Sequence, residues 1–241
     1  MTGLQKFLAG LALLAALAAA AMIGISGTGH KFGAWDLAFA RDVLLTDGAY
    51  GALAAGGVAL AVLLLALARR SFGGAGLALF ALLVAAGAAY VPLSLRAQAE
   101  KVPELTDITT DPDDPPAFVA LASQRESAGR TQYYRVNYTE QHKAYPEIVA
   151  FDSGQSAAAL FGEASAAVDA MGWIVAERAP EEGRIEATAV SEWFGLRDDV
   201  VIRVRPHGAG ARLDIRSASR AGTTDLGANA AHIRAILDRL H

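Results

Sequence analysis

The stretch Leu8–Ile25, LAGLALLAALAAAAMIGI, holds no charged side chain and comes close to the roughly 20 residues that cross about 30 Å of hydrocarbon. Two further uncharged runs follow, Ala49–Ala68 and Leu77–Leu95. Lipid offers no partner to a bare backbone N–H or C=O, so each run is expected to be a transmembrane helix. A buried core helix would be the alternative, but three such segments within 95 residues, none with a polar face, argue against it. Lys6 ahead of the first run gives it the outline of a signal peptide. Its apolar length exceeds the roughly 7–15 residues of such a segment and two more spans come after it, so it is read as a retained anchor.

Small residues recur at four-residue spacing in all three runs: Ala12, Ala16, Ala20; Gly48, Ala52, Gly56; Ala81, Ala85, Ala89. Such rows let helix backbones approach closely, within one three-helix bundle or across a homodimer. No Asp, Glu, Lys, Arg or His interrupts a span, and an ion path or proton relay usually requires one. The expectation is an anchor, with transport excluded. Lys6, Arg69 and Arg70 flank the spans on one side, and Lys31, Arg41, Arg96 and Lys101 on the other. The Arg69-Arg70 pair abuts a span inside a very short loop, where positive charge most strongly marks the cytoplasm. The C-terminal part is therefore expected in the periplasm. Phe32, Trp35, Phe39 and Val43 stand at helical spacing between the first two spans, the pattern of an amphipathic helix lying on the membrane surface, with a plain ordered loop as the alternative.

The chain from Pro103 onward is polar and acidic, with 21 Asp plus Glu against 14 Lys plus Arg. Phosphate backbones require a basic footprint, so nucleic-acid binding is excluded. The absence of cysteine removes disulfides, thiol catalysis and thiolate metal sites. With 17 Arg to 4 Lys and abundant Ala and Gly, the composition is that of a GC-rich bacterial genome.

Residues 99–116 are expected to be linker and domain lead-in, because Pro103, Pro112, Pro115 and Pro116 forbid helix and four aspartates favour solvent. Those aspartates do not form an EF-hand loop: Pro112 falls where glycine is needed and Phe118 where glutamate is needed. The soluble domain proper is placed at 117–241. Gln132, Tyr134, Val136 and Tyr138 alternate as a strand. Asp152 and Gln155 have capping-box spacing ahead of an apolar stripe of Leu160, Phe161, Ala164, Val168 and Met171, which Gly172 ends. A second helix is expected over Gly227–Leu240, with Ala230, Ile233, Leu237 and Leu240 inward and Arg234 paired with Asp238.

Between these helices lie four strand-like runs, Trp173–Arg178, Arg184–Trp193, Asp199–Arg205 and Arg212–Ser219. Period-two alternation puts Val200, Ile202 and Val204 on one face with Leu213 and Ile215. Keeping both sets on the core side across the Pro206–Gly210 turn selects a register with Arg203 opposite Asp214. The outer face then carries Glu186, Arg203, Arg205, Asp214 and Arg216. The expected fold is a three-helix transmembrane bundle plus an α+β soluble domain, a four-stranded antiparallel sheet with two helices on one face.

Serine-hydrolase elbow, zincin, Walker and Rossmann patterns are all missing, and no cofactor or metal is expected. The histidines are scattered and read as solvent-facing. Trp193 and Phe194, at a strand end, are read either as core closure or as a contact for membrane or partner. The densest polar region supplies the candidate anion-binding cluster: Asp198, Asp199, Arg216, Arg220, Asp225, Asn229 and Arg234. Arginine forks suit phosphate or carboxylate, and Asn229 stands near a helix start. The alternative is an ion-pair network that fixes the turn before the last helix, with Asp225 as its N-cap.

The segments Trp193–Asp199 and Arg-Ser-x-Ser-Arg-x-Gly-x-x-Asp-x-Gly-x-Asn over Arg216–Asn229 resemble the domain of unknown function 1499 family. Asp107–Asp111, Pro115–Phe118, Tyr145-Pro146 and Met171–Trp173 carry the same resemblance. It covers about Thr106–Leu240 and implies no activity and no catalytic residues. The functional expectation is an inner-membrane-anchored envelope protein whose soluble domain is a binding or interaction module. Its partners are the bilayer and a lipid headgroup, an anionic small molecule or a membrane protein. The rival expectation is an envelope hydrolase or transferase using Asp198, Asp199 and Arg216.

Overall fold

The computed structural model describes residues 2–70, 72–127, 133 and 137–240. It divides into two compact units, Met1–Gln98 with Glu192–Gly195, and Ala99–Ser191 with Leu196–His241.

The first unit contains α1 (Thr2–Lys31), α2 (Gly48–Ala68) and α3 (Ala75–Ala99), all long and apolar enough to cross a membrane. A π-helical stretch, Phe39–Asp47, runs without a break into α2. Asp36 starts this helix by accepting the Phe39 N–H at 2.8 Å. The helix formed by Phe39–Ala68 and α1 each have 30 residues, about 45 Å at 1.5 Å per residue. Charge-free runs thus mark only the middle of each helix, and the polar ends remain helical. The surface-lying helix expected between the first two spans is corrected: Phe32 and Trp35 sit in a short turn, and Phe39 and Val43 belong to the continuation of α2. Trp35 turns back on α1, its indole N–H donating to the Ser26 carbonyl at 2.8 Å.

The three helices meet in layers that each take one residue from every helix: Ala9, Val62 and Ala78; Ala12, Ala59 and Ala81; Ala16, Ala55 and Ala85; Ala19, Ala52 and Ala89. The spacing runs three, four, three in α1 and α2, and three, four, four in α3, where the expected row Ala81, Ala85, Ala89 lies in the seam. At 3.6 residues per turn, a strict four-residue row drifts about 40° per step away from a straight contact. Ala20 and Gly56 accordingly fall beside the seam, and Ala19 and Ala55 lie in it. Glu192–Gly195 clusters with this unit through hydrogen bonds to the end of α1. Trp193 Nε1 donates to Gly24 O (3.3 Å), and Lys31 Nζ to Glu192 O (2.9 Å). A Cβ at Gly27 would lie 2.7 Å from both Trp193 and Phe194, so only glycine admits the two rings there.

The second unit is built on an antiparallel sheet of β1 (Asp107–Thr109), β2 (Phe151–Ser153), β3 (Ile174–Ala179), β4 (Arg184–Val190), β5 (Arg197–His207) and β6 (Gly210–Ser219). The order is β1-β6-β5-β4-β3, with β2 also on β6. The four central runs form strands as expected, and Arg203 pairs with Asp214. Two strands were not foreseen. β1 and β2 have three residues each, too short for a visible alternation, and they divide the outer edge of β6 between them. Asp107–Thr109 is therefore strand rather than linker, and Leu105 and Ile108 belong to the core.

Gln141, on the short helix α5 (Tyr138–Ala144), closes the free edge of β1. Its amide accepts the Thr109 N–H (3.1 Å) and donates to the Thr109 carbonyl (2.7 Å). Tyr138 opens this helix; Gln132, Tyr134 and Val136 lie outside the described residues. On one sheet face pack α6 (Ala157–Met171) and α7 (Ala228–Leu240), burying Leu160, Ala164, Val168, Ile233 and Ile236 against Ile185, Val200, Ile202, Val204, Leu213 and Ile215. Each of these Leu, Val and Ile side chains stabilises the fold by about 1.5–3 kcal/mol. The cap of α6 is Ser156, whose hydroxyl accepts the Ala159 N–H. Asp152, expected in that role, lies in β2 and pairs with Arg212.

Candidate functional site

The opposite face of the sheet was expected to be its solvated outside. It is buried. Alternation along β4, β5 and β6 puts Arg184, Glu186, Thr188, Asp199, Arg203, Asp214 and Arg216 there, and Glu186, Asp199 and Asp214 are fully inaccessible. The chain leading from β1 into α4 (Ala122–Ser127) covers this face, and it has few backbone partners of its own. Glu186 supplies them: its carboxylate accepts the N–H groups of Val119 (2.8 Å), Ala120 (3.0 Å) and Leu121 (2.9 Å). Its charge is matched by Arg184, which also meets Glu177 and Glu182. These acids together hold the Arg184 guanidinium above its ordinary pKa against the opposing pull of burial. Burial pushes the Asp214 carboxyl up, opposed by Arg203 and Arg205.

The seven candidate residues separate into three places. Asp199, Arg216 and Arg220 share the charged face. Arg220 grips Asp199 with two bonds of 2.8 and 2.7 Å and also reaches Gln124 and Thr188. Arg216 grips Asp107 in the same way, at 2.9 and 2.7 Å. Arg125, from α4, adds a 3.1 Å bond to Asp199. Phe118 lies under two of these cations, 4.4 Å from the Arg125 guanidinium and 5.2 Å from that of Arg216.

Asp198, Asp225 and Asn229 lie on the helical face. Successive strand residues point to opposite sides, so Asp198 and Asp199 do not form a carboxylate pair. Asn229, fully buried, accepts from Ser217 Oγ (2.7 Å) and donates to Ser219 Oγ (2.9 Å) and Asp225 Oδ2 (2.7 Å). Asp225 caps α7, accepting the backbone N–H groups of Gly227 (2.7 Å) and Asn229 (3.0 Å). Burial pushes the Asp198 carboxyl up and the nearby His232 imidazole down. Arg234 stands apart, paired with Glu147 rather than with Asp238 and stacked 5.0 Å over Tyr145.

Sequence reasoning missed Arg125, Ser217, Ser219 and His232. His232 is only partly exposed and packs edge-on to Trp173 at 5.3 Å, so it is not a solvent-facing histidine. The only signal for it was its position one turn beyond Asn229. Ser217, His232 and Asp198 name the members of a hydrolytic triad, but His232 Nδ1 faces both Ser217 Oγ (3.3 Å) and Asp198 Oδ2 (4.0 Å). A relay needs the acid on one ring nitrogen and the nucleophile on the other. Ser217 is also fully buried.

Among the described residues, no three His, Cys, Asp or Glu side chains are grouped to hold a metal. A shallow depression between α6 and α7, lined by Gln155, Glu163, Ala166 and Arg239, contains none of the seven candidates. The arrangement can lock the covering chain to the sheet and cap the last helix. The family described as protein of unknown function (DUF1499) matches residues 107–240. No curated protein and no solved structure matches the chain. Its charged face, its capped last helix and their shared signature all lie inside the matched region.

Proposed function

We propose that this chain, which belongs to the DUF1499 family, is an inner-membrane protein of the bacterial envelope whose soluble domain works in the periplasm as a binding or interaction module. The observation that carries this reading is the saturation of the candidate acids and bases. Asp199 and Arg220 are committed to each other, Arg220 also to Gln124 and Thr188, Arg216 to Asp107, and Asn229 and Asp225 to the start of α7. A general acid or base must instead be free to give a proton to a substrate or take one from it. The hydrolase or transferase alternative rests on Asp198 and Asp199 acting together, which opposite sheet faces do not favour. The side of the membrane rests on Arg69 and Arg70 beside α2.

Two experiments test the two parts. A phosphatase fused after the last residue should be active and a fluorescent protein there dark; a bright fluorescent fusion overturns the periplasmic placement. In a deletion strain, expression of the full chain is then titrated while the membrane-lipid profile is followed. A binding module acts stoichiometrically, so restoration should track copy number. Full restoration at about a tenth of the native level marks a catalyst, since one enzyme turns over many substrates.

A further inference from the structure

Around Asp199 and Asp107, three guanidiniums share two carboxylates: Arg125 and Arg220 on Asp199, Arg216 on Asp107. Elsewhere on the same face the balance is the reverse. Arg184 alone meets three glutamates, and Arg203 and Arg205 face Asp111, Asp114 and Asp214. The surplus positive charge belongs to Arg125, whose side chain is 3% exposed. Burial lowers its pKa against the pull of Asp199 and Asp107. Among the described residues its hydrogen bonds leave from Nη1, to Asp199 (3.1 Å) and to the Ala218 carbonyl (2.9 Å). Its Nε is buried and meets no hydrogen-bond partner among the described residues. Glu126, its neighbour in the chain, is exposed, and residues 128–136 contain Arg130 and Arg135 but no acid.

A guanidinium does not shed its proton, and Arg125 shares its one paired carboxylate, Asp199, with Arg220, so its buried charge is only partly compensated. Water would satisfy the Nε donor but not the charge. The Nε–Nη2 side of an arginine is also a fork that fits two oxygens of a carboxylate or phosphate. We propose that Arg125 anchors an oxyanion site, in which a phosphate or carboxylate group of a free small molecule or of a lipid headgroup docks on its Nε edge, in the positive field of Arg216 and Arg220. This rests on the binding-module reading and names the chemistry of its ligand.

The test uses the full chain in phosphatidylcholine nanodiscs, with thermal unfolding followed at fixed ionic strength. Inorganic phosphate or acetate replaces chloride in one arm, and phosphatidic acid replaces part of the lipid in the other. The expected result is a saturable rise in melting temperature. Arg125→Lys keeps the charge but removes the fork, and should weaken the response at least about tenfold. A response to free phosphate identifies a soluble anion, and one to phosphatidic acid alone identifies a headgroup; either supports the site. Should Arg125→Lys not fold, the wild-type Arg125 Nε–H resonance is followed during the phosphate titration and is expected to shift saturably. No response in either arm, or an undiminished one in Arg125→Lys, overturns the site. A flat response alongside restoration proportional to copy number removes the oxyanion site and leaves the binding module standing.

Discussion

On the helical side of the soluble sheet, Ile185, Ile202, Leu213 and Ile215 are buried by Leu160, Val168 and Ile233. On the other side, Glu186, Asp199, Asp214 and Arg216 are equally inaccessible, and the same strands supply both sets. The apolar side is held by contacts that have no required partner identity, so a conservative change there removes only its own contribution. The ionic side is held by charges already out of water, where each group is tolerable only while its partner remains. Removing one partner strands the other. Sequence neighbours such as Asp199 and Val200 should therefore respond very differently to equally small changes.

The largest expected effect is on the ionic side. Asp199→Asn leaves Arg125 and Arg220 with no full counter-charge and should cost about 3–5 kcal/mol. Urea unfolding of the detergent-solubilised chain, read by protease resistance of the soluble domain, measures it; a loss below about 1 kcal/mol contradicts the burial of that face. On the apolar side, Ile202→Val removes one methylene at a fully buried position and should cost about 0.5–1.5 kcal/mol in the same assay, with no dependence on salt.

A third test separates the sides by pH. Burial lowers the His232 pKa, so the folded state favours neutral imidazole, and its contribution is lost as pH falls through the ordinary value of about 6.5. Burial raises the Asp198 pKa, so its contribution is present below about 3.9 and is lost as pH rises through the raised value. His232→Gln should flatten the fall in melting temperature as pH drops below about 6.5; parallel curves for variant and wild type contradict this account. The smallest effect is expected at Arg212, which is half-buried and pairs with an exposed Asp152. Arg212→Ala should melt with the wild type, and a clear drop would extend the ionic network to the surface.

Much of this contrast is written in the sequence. Alternation in β5 and β6 gives the sheet, the register and the two faces, because a half-buried strand repeats every two residues. The three uncharged runs mark the helices long and apolar enough to cross a membrane for an equally local reason. Covering the ionic face is not a local property. It depends on Val119–Leu121, a stretch with no periodicity of its own, reaching a glutamate 65–67 residues away. β1 and β2 exist only because β6 offers an edge to them. The candidate cluster was assembled from residues close in sequence, yet a strand sends Asp198 and Asp199 to opposite sides. Arg125, which like Arg203 has an unmet Nε donor, sits in a six-residue helix with no motif to announce it.

Hydrogen exchange at Val119, Ala120 and Leu121 in the wild-type chain is the most direct test of a buried ionic face. These three amides lie outside sheet ladders and helix interiors, and among the described residues only the Glu186 carboxylate accounts for their donors. They should exchange as slowly as the central residues of β5, and Glu186→Gln should release them first. Exchange at the rate of an exposed loop in the wild-type protein would mean that Glu186 faces water and that the charged side of the sheet is an ordinary surface.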